Sequence, residues 1–259
     1  MESFDNHQNH KPNAFPLTRL FPNMVTILGL CAGLTSVRFA LLGQWQIAVI
    51  FIVVAAFIDG MDGRLARLLN ATSKFGAQLD SLSDFFNFGV APGIALYLWI
   101  LKQAPIKGIG WALVLLFAVC MAIRLARFNS ELDDEDRPEW KDRFFAGIPA
   151  PCSACLAIVP FMLTFQFGNT TWLSQFVNPT TVPAFFLAIA ILTASRIPTF
   201  SIKKIVIKRE NSSAVLVLAG ILFISLITEP WLTFTALGAL YLASIPFSVA
   251  TYYRYKAIS

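Results

Sequence analysis

A chain of 259 residues with 56% hydrophobic side chains and a mean hydropathy of +0.65 is too apolar for a water-soluble domain. Such domains are about 45–50% apolar even when glycine is counted. The net charge of +5 points to lysine and arginine at a cytoplasmic membrane face and not to nucleic acid. His7 and His10 are the only histidines, and both lie in the polar N-terminal segment, so acid–base work and metal binding fall to carboxylates.

Residues 1–20 are polar and lack an early apolar core, so no secretory signal peptide is evident and they read as a cytoplasmic tail or interfacial segment. Eight apolar blocks follow, at 22–43, 46–68, 78–101, 108–129, 148–167, 182–200, 212–228 and 231–252. Each is near the roughly 20 residues that cross a bilayer core as a helix. The expected fold is therefore an all-α membrane protein with about eight transmembrane helices.

The first block opens with Phe21-Pro22-Asn23-Met24-Val25-Thr26. Asn23 and Thr26 share a helix face there, and Asn23 reads equally well as the helix N-cap. The fourth block closes with Arg124 and Arg127, three apart on one face, followed by Asn129, which reads as a plain helix-end residue. The connection 130–147 carries Glu131, Asp133, Asp134, Glu135 and Asp136 and reads as a solvated loop. Pro149 and Pro151 set the start of the fifth block. Cys152 and Cys155 form a CxxC with no companion pair or histidine, and all four cysteines lie in apolar segments, which favours packing over zinc or redox chemistry.

With the N-terminus in the cytoplasm, every lysine and arginine except Arg38, Lys102 and Lys107 falls on or toward that side. The positive-inside rule then fits eight spans with both termini cytoplasmic.

Blocks two and three carry the unusual chemistry. Asp59, Asp62, Asp80 and Asp84 stand among apolar residues at helical spacing. A carboxylate at the bilayer centre costs roughly 2.5–3.5 kcal/mol on insertion scales, which marks such residues as functional. Asp59, Asp62 or Gly63, and Ala66 or Arg67 share one stripe of a helix, and Asp80 and Asp84 share a face of the next. A turn near Asn70–Lys74 brings the two faces together at the cytoplasmic end. The four negative charges match two divalent cations, and oxygen ligands suit magnesium, manganese or calcium. Gly60, Gly63 and Ala66 remove bulk beside the carboxylates, leaving room for a ligand or for a helix-packing seam. Arg67 suits phosphate through forked hydrogen bonds, or it snorkels at the interface.

The pattern D-x-x-D-G-x-x-A-R, eight residues, G-x-x-x-D-x-x-x-D is filled at every position by Asp59, Asp62, Gly63, Ala66, Arg67, Gly76, Asp80 and Asp84. It resembles the signature of the CDP-alcohol phosphotransferases. That resemblance implies a six-helix core, here residues 21–205, in a membrane homodimer, with 206–259 adding two C-terminal transmembrane helices. It implies transfer of a phosphatidyl or similar group from a CDP-linked donor to an alcohol, release of CMP, and assistance by two divalent cations, Mg2+ or Mn2+.

Segments outside the signature are Asp84-Phe85-Phe86-Asn87-Phe88-Gly89-Val90-Ala91-Pro92, Ala122 to Asn129, Phe145 to Pro151 and Ser195 to Ser201. Together with the opening of block one they resemble the membrane-bound branch of that family that transfers from CDP-diacylglycerol to L-serine. At Phe86-Asn87 the sequence departs from the Val-Ser-like pair of that branch. The resemblance implies metal ligation by Asp59, Asp62, Asp80 and Asp84, with Asp84 doubling as general base. It implies a CDP site formed by Asn23, Thr26, Asp62, Gly63, Ala66, Arg67 and Gly76. Arg124, Arg127, Phe88 and Asn87 are the expected acceptor or phosphate contacts. Choline, inositol or glycerol phosphate are the alternative acceptors. A cation-transport path is the rival from another class, though a transporter more often spreads its acids through the membrane depth. A bacterial inner membrane is the setting implied.

Overall fold

The computed structural model describes residues 20–69, 71–132, 144–168, 170–200 and 212–258. The N-terminal tail to residue 19, positions 133–143 of the acidic connection, and 201–211 with Lys203, Lys204 and the expected boundary at 205/206 lie outside the described residues.

Helix α1 (Phe21–Leu41) turns at Gly43, whose φ of 71° suits glycine, into α2 (Trp45–Leu68), and the two pack along their length. Next come α3 (Lys74–Asp84), a π-helical turn (Phe85–Val90) and α4 (Ala91–Trp99) without a break, then a 3-10 turn (Leu101–Gln103) and α5 (Ile109–Leu132). Strand β1 (Phe144–Ala146) leads into α6 (Ala150–Ala157), α7 (Val159–Phe167), α8 (Thr171–Phe176) and α9 (Thr181–Ala194). Strand β2 (Pro198–Phe200) pairs antiparallel with β1, Phe145 opposite Thr199. Two C-terminal helices, α10 (Ser212–Thr228) and α11 (Pro230–Ile258), complete the chain.

Fully buried Ile52, Phe88, Leu96, Phe117, Phe161 and Phe186 form the heart of the bundle. Phe161 stacks on Trp99 at 4.1 Å, and Phe117 meets Phe186 at 4.7 Å between α5 and α9. Outward positions such as Leu28, Phe57, Leu68 and Leu82 are exposed large hydrophobics, as expected where lipid is the solvent.

Helices α1, α2, α5 and α11 are each long and apolar enough to cross a membrane, and the α6–α7 pair makes a fifth if its 42° bend is counted within one span. The eight-block expectation is met only in part, and the reasons are local. Block three is carried by α3, the π turn and α4 in series. Block five bends at Ile158, before Pro160, whose ring nitrogen cannot donate to the helix. Block six was expected to run to residue 200, but α9 stops at Ala194, with an extended Ser195, and 198–200 pair as a strand. Helix α10 buries no residue. The all-α expectation thus holds apart from one short strand pair, and Pro149 and Pro151 do start α6 as read from the sequence.

The strand pair turns on Gly147, at φ 77°. Its N–H donates to Ile197 O at 2.9 Å, and its carbonyl accepts from Thr199 Oγ1 at 2.8 Å. A Cβ there would lie 2.8 Å from both Thr193 O and Ser195 O. Gly147→Ala is therefore expected to cost about 1–3 kcal/mol and lower the melting temperature in detergent by several degrees. An unchanged melting curve would show that this junction bears no strain.

Candidate active site

The site forms where α1, α2 and α3 meet. Ser73 caps α3, its Oγ accepting from Gly76 N–H at 3.0 Å, and this fixes where the third helix starts. From that start, Asp80 faces back toward α2. Carboxylate oxygens of Asp59, Asp62 and Asp80 lie within 4.8 Å of one another. Asp84, one turn further on, lies beside the Asp59 carboxyl and is not part of that triad. Asp62 is buried and the other three are partly so. One oxygen of Asp80, Oδ1, is buried without a hydrogen-bond partner.

Helix α1 closes over this corner. Thr26 Oγ1 donates to Asp62 Oδ2 at 2.8 Å, and Ser83 Oγ donates to the Thr26 carbonyl at 3.4 Å. Asn87 Nδ2 in turn donates to Ser83 Oγ at 3.1 Å. One polar thread therefore runs from α2 through α1 to α3 and the π turn. Gly33 makes this possible, because a side chain there would occupy the place of the Asn87 amide. Asn23 lies inside the first turn of α1, which begins at Phe21, so it is not the N-cap. Its Oδ1 sits 2.8 Å from where a Cβ of Gly76 would be, which explains the glycine in packing terms.

Beside the triad opens a cavity of about 310 Å3. Asn23, Thr26, Asp62, Gly63, Ala66, Arg67 and Gly76 all line it, together with Asp80. The whole set expected for the nucleotide donor is thus gathered around one space. A Cβ at Gly60 or Gly63 would meet nothing within 4 Å, so among the described residues neither glycine packs against another helix and both leave open room beside the carboxylates.

The expected acceptor residues divide. Arg124 is buried, with its Nε donating to Ile148 O, and it stands within electrostatic reach of Asp84 and Asp59. Arg127 gives one nitrogen to Ser195 O at 3.0 Å. Phe88 is fully buried in the apolar core, and Asn87 faces α1. Asn129 is more than a helix-end residue, since its Nδ2 donates to Ser81 Oγ at 2.9 Å and ties α5 to α3. Cys152 and Cys155 are free thiols on α6.

Sequence reading missed Ser73, Ser83 and Asn129 as parts of this framework. A serine directly before a helix is a recognisable N-cap signal for Ser73. Ser83 carried only the weaker signal of a polar residue beside an apolar run.

A corner of carboxylates beside a cavity, in a bundle with helices long and apolar enough to cross a membrane, is the setting in which the family relationship is read. The chain belongs to the CDP-alcohol phosphatidyltransferase family, whose sequence profile matches residues 19–196. The profile of a second group, CDP-alcohol phosphatidyltransferase 2, matches residues 212–246. The chain is 38% identical over 236 residues to the CDP-diacylglycerol–serine O-phosphatidyltransferase of Mycobacterium leprae, covering 89% of this chain and 75% of that one. It is 34% identical over 209 residues to the protein of the same name in Helicobacter pylori, covering 79% and 82%. With the namesake in Bacillus subtilis it shares 38% over 141 residues, covering 54% and 75%. The protein is thus an integral membrane enzyme of this family.

Two glycines of the site should respond oppositely to the same change. Gly33→Ala overpacks a buried contact with Asn87 and is expected to cost about 1–3 kcal/mol. Gly63→Ala meets open space within a helix and is expected to be neutral or to stabilise by up to about 1 kcal/mol. Thermal unfolding in detergent compares them, and equal shifts would contradict the packing described.

Proposed function

We propose that this protein transfers the phosphatidyl group of CDP-diacylglycerol to the hydroxyl of L-serine, releasing CMP. The observation that carries the reading is the single cavity that unites the seven expected donor residues, Asp62 of the carboxylate triad among them, with Asp80. The names of the relatives support serine as the acceptor.

The triad fits a divalent cation. Its donors are all hard oxygens gathered within 4.8 Å, and the buried Asp80 Oδ1 lacks any protein partner. Asp59, Asp62 and Asp80 would hold magnesium or manganese, with Asp84 completing a four-carboxylate set for two ions. Bound there, such ions would neutralise the donor pyrophosphate and stabilise charge at the phosphorus under attack.

The protein's own residues do the rest. Asn23, Gly63, Ala66 and Gly76 bound the nucleotide, with Arg67 on its phosphates. Thr26 holds Asp62 in place. Arg124, anchored through Nε, keeps its outer nitrogens for the serine carboxylate or donor phosphate. Asp84 takes the proton from the serine hydroxyl as general base. The oxygen then attacks the phosphorus that carries diacylglycerol, the bond to CMP breaks, and no covalent enzyme intermediate forms.

In this scheme eight spans set both termini and the carboxylate corner at the cytoplasmic face, where soluble serine and leaflet-embedded donor meet. A homodimer in a bacterial inner membrane, with 21–205 as core and 206–259 as an added pair of spans, completes the proposal. Family membership favours group transfer over a cation path.

Purified protein is tested with CDP-diacylglycerol, manganese or magnesium, and serine, choline, inositol or glycerol phosphate in turn, measuring CMP and identifying the lipid. Serine alone is expected to give rapid CMP release, which chelation by EDTA abolishes and added metal restores. A faster reaction with another alcohol would overturn the acceptor, and full activity in EDTA would overturn the metal. Asp84→Asn is expected to abolish turnover while CDP-diacylglycerol still binds. Near-normal turnover by that variant would remove Asp84 from the role of base.

A further inference from the structure

Helix α11 presents one stripe to the rest of the protein. Phe234, Tyr241 and Ile245 pack against the core, and Ser248 is fully buried. Gly238, one turn before Tyr241, lets the helix approach α6 and α7 closely, its absent Cβ 3.1 Å from Leu156 and 3.7 Å from Val159. Both ends are tied down. Trp231 packs on Phe165 at 5.1 Å, Gln166 Nε2 donates to Glu229 Oε2 at 2.8 Å, and Tyr252 packs on Phe144 at 5.3 Å. Tyr241 is therefore held at a fixed place and depth.

At that place its hydroxyl oxygen is buried without a well-formed hydrogen bond. The neighbouring Thr199 hydroxyl donates to Gly147 O, and Tyr241 OH is not in hydrogen-bond geometry with it in either direction. Arg124 and Cys152 stand within electrostatic reach of the same hydroxyl. Arg124 in turn is in reach of Asp84 and Asp59. One guanidinium thus lies in the field of the carboxylate corner and of the C-terminal helix alike, and the Ile148 carbonyl that holds it is next in the chain to the Gly147 carbonyl that holds Thr199. Its Nε is committed to Ile148 O, so a carboxylate bound by its outer nitrogens still has lone pairs to fill. A buried phenol with an unused proton is the chemical group that fills one.

We infer that Tyr241 is an acceptor-specificity residue, its hydroxyl donating to the carboxylate of the hydroxy amino acid held by Arg124. This rests on the serine reading above. It gives α11 a part in substrate choice, and Tyr241 falls within the residues 212–246 that match the second family profile.

Tyr241→Phe keeps the ring and its packing and removes only the hydroxyl. Full-length wild type and variant are assayed with CDP-diacylglycerol and either L-serine or serinol, which retains a hydroxyl and the amine but has no carboxylate. The expected result is a fall of about ten-fold or more in the serine-to-serinol ratio of kcat/KM, carried by KM for serine, the scale of one hydrogen bond to a charged group. An unchanged ratio overturns the inference, and so does an equal loss with both alcohols, which marks a purely structural role. Wild type that ignores serine overturns the function proposal and this inference with it, whereas active wild type with an indifferent variant overturns this inference alone.

Discussion

Two carboxylates 4.8 Å apart repel by roughly 3.5 kcal/mol at an effective dielectric of 20. Asp59, Asp62 and Asp80 are held at least that close, with Asp84 against Asp59. No isolated helix would keep such a set together inside a membrane. The rest of the bundle is arranged to do so. Ser73 fixes the start of α3, the Thr26 hydroxyl satisfies one oxygen of Asp62, and the Asn129 amide pins α3 from the side of α5. Buried Arg124 brings positive charge near Asp84 and Asp59. Thr26 and Arg124 bring neutral and cationic donors to the edge of the cluster, while Ser73 and Asn129 position the helix that carries Asp80.

The set of residues expected around the donor was largely readable from the chain because it is local. Positions 59 to 84 lie on two consecutive helices joined by a short turn, so spacing alone predicts which side chains share a face. Only Asn23 and Thr26 come from elsewhere, and they came from a resemblance and not from periodicity. The surroundings of Arg124 were less readable because their parts are distant in sequence. Arg124 on α5, Ile148 before α6, Thr199 on β2 and Tyr241 on α11 meet only through tertiary packing. Asn87 shows the same limit. Its neighbourhood to Asp84 in sequence suggested a shared pocket, yet its amide fills the space above Gly33. Hydropathy, likewise, counted apolar blocks well but could not see that Ser195 ends α9 early or that residues 198–200 turn back to pair with 144–146.

That small strand pair has a role out of proportion to its size. Phe144 receives Tyr252, and Thr199 lies beside Tyr241, so the strand pair that flanks α6 to α9 is also the dock for α11. The two C-terminal helices differ accordingly. Helix α11 is integrated through a continuous inward stripe, whereas α10 buries no residue and rests against α11. Among the described residues the core and the C-terminal segment therefore meet through α11, which packs on α6, α7 and the strand pair.

The π turn at Phe85–Val90 has a further consequence. A turn with one residue more than α geometry needs rotates everything beyond it by about one residue's step, near 100°. Before it, α3 points Asp80 toward the carboxylates of α2. At its end and beyond it, Gly89 and Gly93 lie against Met121 and Val114 of α5, at separations that admit no side chain without displacement. The segment therefore works as a phase shifter between a chemical face and a packing face of one continuous rod. Its length constrains the protein independently of its composition: single-residue insertions or deletions here change the angle between the two faces, while substitutions that keep the count leave it intact.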